Sequence, residues 1–241
     1  MIGGFIISGD APKRVIIRGL GPSLSSFGLT ALLSDPTLQL FGAGGQIAFN
    51  DNWRDLQESE IAATTIAPDD EREPAIIATL TPDSYTAILS GKDGATGVGL
   101  LEVYDLNSAA GSRLANISTR GSVQTQDNVM IGGFILGGSN EQPARVVVRA
   151  LGPSLGSAGV ANPLANPSLE LFDSNGQSVA FNGDWQDDAD QAAQLQALTI
   201  APPQANEAAV VITLPPGAYT ALVAGQSGTT GVGLIELYDV Q

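Results

Sequence analysis

Two acidic loops carry the side chains whose types and spacing best suit metal chemistry. The first loop reads FNDNWRD and the second reads FNGDWQDDAD, and each offers three oxygen donors at matching positions. The donors are Asn50, Asn52 and Asp55 in the first loop, and Asn182, Asp184 and Asp187 in the second. Clustered carboxylate and amide oxygens suit Ca²⁺, which takes about six to eight oxygen ligands. Three shared donors are fewer than a Ca²⁺ site requires, so a role of these side chains in Asx turns and helix capping is the competing interpretation.

Two charged pairs interrupt otherwise apolar segments. Arg18 ends one such segment and Glu102 lies within another, and Arg149 and Glu236 repeat the pattern. Residues two apart on a strand share a face, so Glu102 shares one with Tyr104. A charge on a core-side face requires a partner. We therefore predict structural ion pairs Arg18–Glu102 and Arg149–Glu236, with solvated positions at sheet edges as the alternative.

Each acidic loop also contains one tryptophan, Trp53 or Trp185. An aromatic ring beside carboxylates can stack on a sugar, which makes a surface glycan an alternative ligand. The neighbouring residues Leu56 and Ile66 are apolar and favour burial of the indole as an end cap of the fold.

The composition excludes several classes of function. The 241 residues include no cysteine and no histidine, which removes disulfides, thiolate and imidazole metal sites, cysteine nucleophiles and the Ser-His-Asp triad. A net charge of −15 opposes nucleic-acid binding. No apolar run approaches the roughly 18 residues that span a bilayer, so we predict no membrane insertion. A hydrolase that works with carboxylates alone is a third and last-ranked alternative: the spacing of the acidic residues indicates no pair that faces across a cleft, as glycoside hydrolysis requires. We predict a protein that is not an enzyme and requires no cofactor.

The chain repeats itself. MIGGFI at Met1 returns at Met130, and RVIIRGLGPSL from Arg14 returns as RVVVRALGPSL from Arg145. A repeat of this length has the size of an independent domain rather than of a solenoid unit. We predict two tandem homologous domains, 1–112 and 113–241, and interpret GPSL in each as a tight turn that leaves a strand.

Short Val-, Ile-, Leu- and Thr-rich runs bounded by Gly, Pro, Asn and Asp are typical of strands. We predict an all-β fold in which each domain is a jelly-roll-like β-sandwich with one short surface helix, within Arg54–Thr65 and Gln186–Thr199. The strands predicted in the first copy, which the second repeats, are Ile2–Ile7, Arg14–Arg18, Thr37–Phe41, Gln46–Phe49, Ala75–Leu80, Ser84–Leu89 and Gly99–Tyr104.

The segment Leu114–Val129 precedes Met130 and has no counterpart before Met1. If it completes the second copy, the first copy presents an unpaired sheet edge, which a strand from a neighbouring chain would cover. Such a contact is head-to-tail and builds a filament unless it closes into a ring. We predict self-association through an assembly strand made of Leu114, Ala115, Asn116, Ile117 and Ser118.

The runs LANISTRG, IGGFI and RVVVRALGPSL and the ending YTALVAGQSGTTGVGLIELYD together resemble tandem modules found toward the ends of large secreted or cell-surface bacterial proteins. The ending is more distantly similar to that of bacterial pre-peptidase C-terminal β-sandwich domains. The resemblance implies an extracellular structural or accessory role and brings no catalytic residues. Our leading hypothesis is a structural or adhesive protein that forms a filament or a longer repeat array, with a calcium- or carbohydrate-binding surface-targeting module as the alternative.

Overall fold

The computed structural model describes residues 1–108, 111–126, 128–137 and 142–240. The chain forms two compact units, Met1–Ile117 and Ser118–Gln241. The prediction of an all-β sandwich fold with one short helix in each copy is confirmed. No helix within the described part of the chain is long and apolar enough to cross a membrane.

The first unit contains seven strands of its own. They are β1 (Ile2–Gly9), β2 (Lys13–Leu20), β3 (Pro36–Gly42), β4 (Gly45–Asn50), β5 (Ala75–Leu80), β6 (Asp83–Gly91) and β7 (Leu100–Asp105). The next strand, β8 (Ser112–Val123), runs from the first unit into the second. One sheet of the first unit has the order β8-β1-β6-β3-β4 and the other the order β5-β2-β7.

The second unit repeats these seven strands. They are β9 (Met130–Leu136), β10 (Ala144–Leu151), β11 (Pro167–Asp173), β12 (Ser178–Asn182), β13 (Ala208–Leu214), β14 (Gly217–Gly225) and β15 (Gly231–Asp239). The sheets have the orders β12-β11-β14-β9 and β13-β10-β15-β8. The registers described among these fourteen strands, such as those of β2 with β7 and β10 with β15, are antiparallel.

The core of each unit lies between its two sheets because strand residues alternate between faces. In the first unit Phe5, Val15, Ile17 and Leu38 are buried together there. β2 is apolar on both faces, and Ile16 on its other face packs against the loop and helix outside the sheet. The same three layers recur in the second unit.

One short helix packs on the outer face of the sheet that contains β2 in the first unit and β10 in the second. Helix α1 is Glu58–Ala63 and helix α2 is Ala189–Ala197. Helix α1 is shorter than the predicted segment because a turn precedes it. In this turn the Asp55 N–H donates to the Asn52 carbonyl. Helix α2 begins after Asp188, whose carboxylate accepts from two N–H groups of the first turn.

The boundary between the units differs from the predicted one at 112/113. It falls inside β8, between Ile117 and Ser118. Leu114 packs against the core of the first unit, whereas Val123 is fully buried in the core of the second. A single strand therefore supplies core residues to both units.

Candidate assembly edges

The predicted charged pairs meet across adjacent strands. Arg18 lies directly opposite Glu102, and its Nε donates to Oε2 of Glu102 at 3.0 Å. Arg149 and Glu236 have the same register and the same Nε–Oε2 distance. All four side chains are largely buried. The structure thus brings together the four residues that the sequence paired.

Each pair also includes a tyrosine and a loop carbonyl. The Arg149 guanidinium donates to the Ile200 carbonyl at 2.7 Å and lies over the ring of Tyr238, whose hydroxyl donates to Glu236. Burial and the neighbouring Glu236 charge raise the pKa of Tyr238 to about 12. In the first unit, burial and the hydrogen bond with Glu102 raise the pKa of Tyr104. Both oxygens of the Glu236 carboxylate accept hydrogen bonds, and the arginine links strand β10 to the loop that follows the helix.

The predicted metal ligands lie in a hydrogen-bonded frame. The side-chain oxygen of Asn50 accepts from the Ala75 N–H at 3.0 Å, and that of Asn182 accepts from the Ala209 N–H at 2.9 Å. Their amide nitrogens donate to the carbonyls of Asn52 and Asp184. These oxygens are therefore already engaged with the ends of β5 and β13.

The remaining predicted ligands extend the same frame. The Asn52 amide donates to the Asp55 carboxylate at 3.2 Å, and the Asp187 N–H donates to the Asp184 carbonyl at 3.0 Å. The described residues hold no cluster of three or more acids that could bind a metal ion. Calcium binding stays a prediction, to be tested by titration.

Both tryptophans are buried. Trp53 packs with Ile16 and Ile61, and Trp185 packs with Val147 and Leu195. Neither indole offers a face to a sugar ring, which agrees with the end-cap interpretation.

The sequence analysis missed two buried carboxylates, Glu73 and Glu207. Oε1 of Glu73 accepts from the N–H groups of Gly21 and Ser23 and from the Ser23 hydroxyl at 2.7–2.9 Å. Its Oε2 accepts from the Asp70 N–H. The carboxylate thereby fixes the GPSL turn. The sequence feature that could have predicted this role is the glutamate that recurs just before the fifth strand of each copy.

Glu207 does the same in the second unit. It accepts from the N–H groups of Gly152 and Ser154 and from the Ser154 hydroxyl, and its other oxygen accepts from the Gln204 N–H. Both glutamates are fully buried. A buried charge is tolerated here because several donors point at it.

The assembly strand predicted at Leu114–Ser118 lies in β8. In the first unit β8 is the neighbour of β1, and in the second it is the neighbour of β15. The start of β8 adjoins the end of β1, where the Asp10 N–H approaches the Gly111 carbonyl at 3.4 Å. Its end adjoins β15, where a Cβ on Gly233 would lie 3.0 Å from Val123 Cγ2. The residues Leu114–Ile117 therefore belong to the first unit, where their strand is the neighbour of β1.

β8 covers one sheet edge in each unit, and in the described part of the chain the equivalent edge of the other unit has no such strand beside it. Within the described residues, β7 has no neighbour beyond β2, and β9 has none beyond β14. Their counterparts, β15 and β1, are the two strands that β8 covers. The uncovered edges of β7 and β9 are called here the assembly edges.

The β7 edge is more exposed than its counterpart although the two sequences are nearly the same. Leu100 is 38% exposed, whereas the matching Leu234 is half-buried; Leu101 is partly exposed, whereas Ile235 is only 5% exposed. The Leu106 N–H donates to the Arg14 carbonyl on β2. Since antiparallel backbone groups alternate sides, the N–H and C=O groups of Leu101 and Val103 face the uncovered side.

The β9 edge shows the same contrast. Ile131 and Ile135 are 58% and 72% exposed, whereas the matching Ile2 is half-buried and Ile6 is 37% exposed. Ile131 and Ile135 lie on the same face of β9, and exposed apolar residues on an uncovered strand favour strand pairing.

The edges of β5 and β13 are blocked by side chains instead. The Gln57 amide donates to the Ile77 carbonyl at 3.0 Å and its oxygen accepts from the Ile77 N–H at 2.9 Å, so it replaces a neighbouring strand. Gln191 accepts from the Val211 N–H in the second unit. β4 and β12 are also outermost strands, but β7 and β9 are the ones whose counterparts are covered by β8.

Comparison with known proteins adds little. No protein-family model matches the chain, and no curated protein is significantly similar to it in sequence. Among solved structures, the chain aligns with the MCP of STIV, the Sulfolobus Turreted Icosahedral Virus, at 12% identity over 98% of this chain and 90% of that one, with a TM-score of 0.28. It aligns with the major capsid protein P2 of bacteriophage PM2 at 8% identity over 100% and 93%, with a TM-score of 0.24. Scores this low carry no conclusion about function.

Proposed function

We propose that this chain is a non-enzymatic structural module of a repeat array. Strands equivalent to β8 connect successive repeats within a chain, and the assembly edges of β7 and β9 bind neighbouring molecules head-to-tail. The observation that carries the proposal is that β8 covers β1 and β15 while their counterparts β9 and β7 are uncovered. One unit thus lacks a covering strand at β7, and the other lacks one at β9. The two ends differ from each other, so association between them is heterologous and propagates.

The charged clusters support a structural role. The buried arginines and glutamates are paired with each other or with backbone groups, and no side chain among them is left to act as a nucleophile or as a mobile base. The acidic, lysine-poor composition and the resemblance to surface modules favour an extracellular or bacterial cell-surface setting for the array.

The test is the concentration dependence of association of the full chain, measured by sedimentation velocity together with electron microscopy. Ile135→Lys places a charge on the β9 edge and is expected to weaken association by about tenfold or more. Phe181→Lys is the matched control, because Phe181 is a similarly exposed apolar residue of the same unit that lies on β12. A chain that stays monomeric at high concentration with both units folded would refute the proposal, as would equal effects of the two variants.

A further inference from the structure

The β7 edge matches the surface that β15 offers to the second half of β8. β7 and β15 belong to the segments GVGLLEVYD and GVGLIELYD, and each pairs on its other side with an equivalent strand in an equivalent register. In the second unit this surface is covered by Ser118–Val123 and in the first unit it is not. The greater exposure of Leu101 than of Ile235 accompanies the lack, among the described residues, of a neighbouring strand beside this edge of β7.

We propose that the β7 edge is a binding site for a strand of the type Ser118–Val123, supplied by a neighbouring copy of this repeat. The inference rests on the proposed function and names the occupant of one assembly edge. In the second unit Val123 lies beside Gly233, so we place the incoming valine beside Gly99. The outward N–H and C=O groups of Leu101 and Val103 then pair with the incoming main chain, which is the usual basis of strand addition.

The space beside Gly99 defines what holds the incoming strand. A Cβ on Gly99 would lie 3.1 Å from Leu89 Cδ2, whereas the equivalent place in the second unit is taken by Val123. The Leu89 side chain thus fills part of the valine pocket in the first unit. The main chain of β7, rather than a deep side-chain pocket, is left to hold the strand.

Charge favours this occupant. The chain carries a net charge of −15, so two copies repel each other at most surfaces. The sequence of β8, SRLANISTRGSV, contains Arg113 and Arg120 and no acidic residue. Of these, Arg120 lies within Ser118–Val123, so a strand of this type approaches the acidic first unit without charge repulsion, and added salt should weaken its binding.

A tethered strand gives the most direct test, because tethering makes binding intramolecular. The segment 118–129 is placed directly before Met1 of the full chain, which reproduces the spacing that it has before Met130. Hydrogen exchange of the Leu101 and Val103 amides is then measured by NMR, with Ile235 and Leu237 as covered references in the same molecule. We expect exchange at Leu101 and Val103 to slow by about a hundredfold or more.

The control is the same extension carrying Thr119→Pro and Arg120→Pro, which removes an amide from each side of the added strand. Unchanged exchange at Leu101 and Val103, or equal slowing by the proline control, would overturn the inference. The result is separable from the proposed function. Slowed exchange with a wild-type chain that stays monomeric would refute self-association alone, whereas association of the wild type without slowed exchange would refute this occupant alone.

Discussion

The ends of the two units, GVGLLEVYD and GVGLIELYD, differ at two of nine positions, where Leu101 and Val103 stand opposite Ile235 and Leu237. In the second unit the strand begins at Gly231, whereas in the first it begins at Leu100, three residues later in the alignment. The three residues at which the two strands differ in length are GVG in both units, so residue propensity does not account for the difference. The second unit has β8 beside this segment and the first does not. Strand length here is set by the neighbour.

Removal of the buried carboxylates is expected to have the largest effect, and an equal one in both units. Glu73→Ala and Glu207→Ala each leave several donors around the GPSL turn without an acceptor, at an expected cost of roughly 3 to 5 kcal/mol in the unit concerned. Urea unfolding followed by fluorescence resolves the units, with Trp53 as reporter in a Trp185→Phe background and Trp185 in a Trp53→Phe background.

Glu71→Ala is the control for that experiment, because Glu71 is an exposed neighbour whose contact is a surface ion pair with Arg54. It should change the unfolding free energy by less than about 0.5 kcal/mol. A marked difference between the effects at Glu73 and Glu207 would break the equivalence of the two turns.

Substitutions in β8 are expected to have smaller effects that separate the two units. Val123→Ala removes a fully buried side chain from the core of the second unit and should destabilise that unit by about 1 to 3 kcal/mol. Leu114→Ala should destabilise only the first unit, by about 1 kcal/mol, since Leu114 is half-buried against that core. The same tryptophan reporters measure both variants. Equal loss in both units from either variant would contradict the division of β8 at Ile117.

The smallest expected effect is a difference between the units at alkaline pH. The pKa of Tyr238 is raised from 10.0 to about 12 in the folded chain, so the folded state holds a proton that the unfolded state releases. The stabilisation from this group is complete below pH 10 and is lost as the pH rises towards 12. The unfolding free energy of the second unit should fall over that interval, and Tyr238→Phe should flatten the fall. An identical slope in the variant would exclude Tyr238 as the cause.

Much of the architecture was predictable from local pattern. Alternating apolar residues placed all seven strands of the first copy within a few residues of their ends, because one face of each strand must be buried. The pairing of Arg18 with Glu102 was predictable for a related reason, since both charges fell on core-side positions. Repetition of the chain carried each of these predictions to the second copy.

The roles of single polar residues were harder to predict. Asn50 and Asp55 were interpreted as metal ligands, yet the Asn50 oxygen binds the Ala75 N–H, which lies 25 residues later in the chain. The role of Glu73 was not predictable from its neighbours in sequence, because its donors lie about 50 residues earlier, in the GPSL turn. Hydrogen bonds between distant segments leave no periodic pattern in the sequence.

The sequence by itself determined the repeat, the all-β class, the positions of the strands and the absence of thiol and imidazole chemistry. These follow from residue types and from the period of apolar positions. Only the tertiary structure decided that β8 divides between the two units, that Asn50 and Gln57 block the edge of β5, and that the edges of β7 and β9 remain open. Pairing of one strand with another depends on which edges lie side by side, and the chain brings those edges together only when it folds.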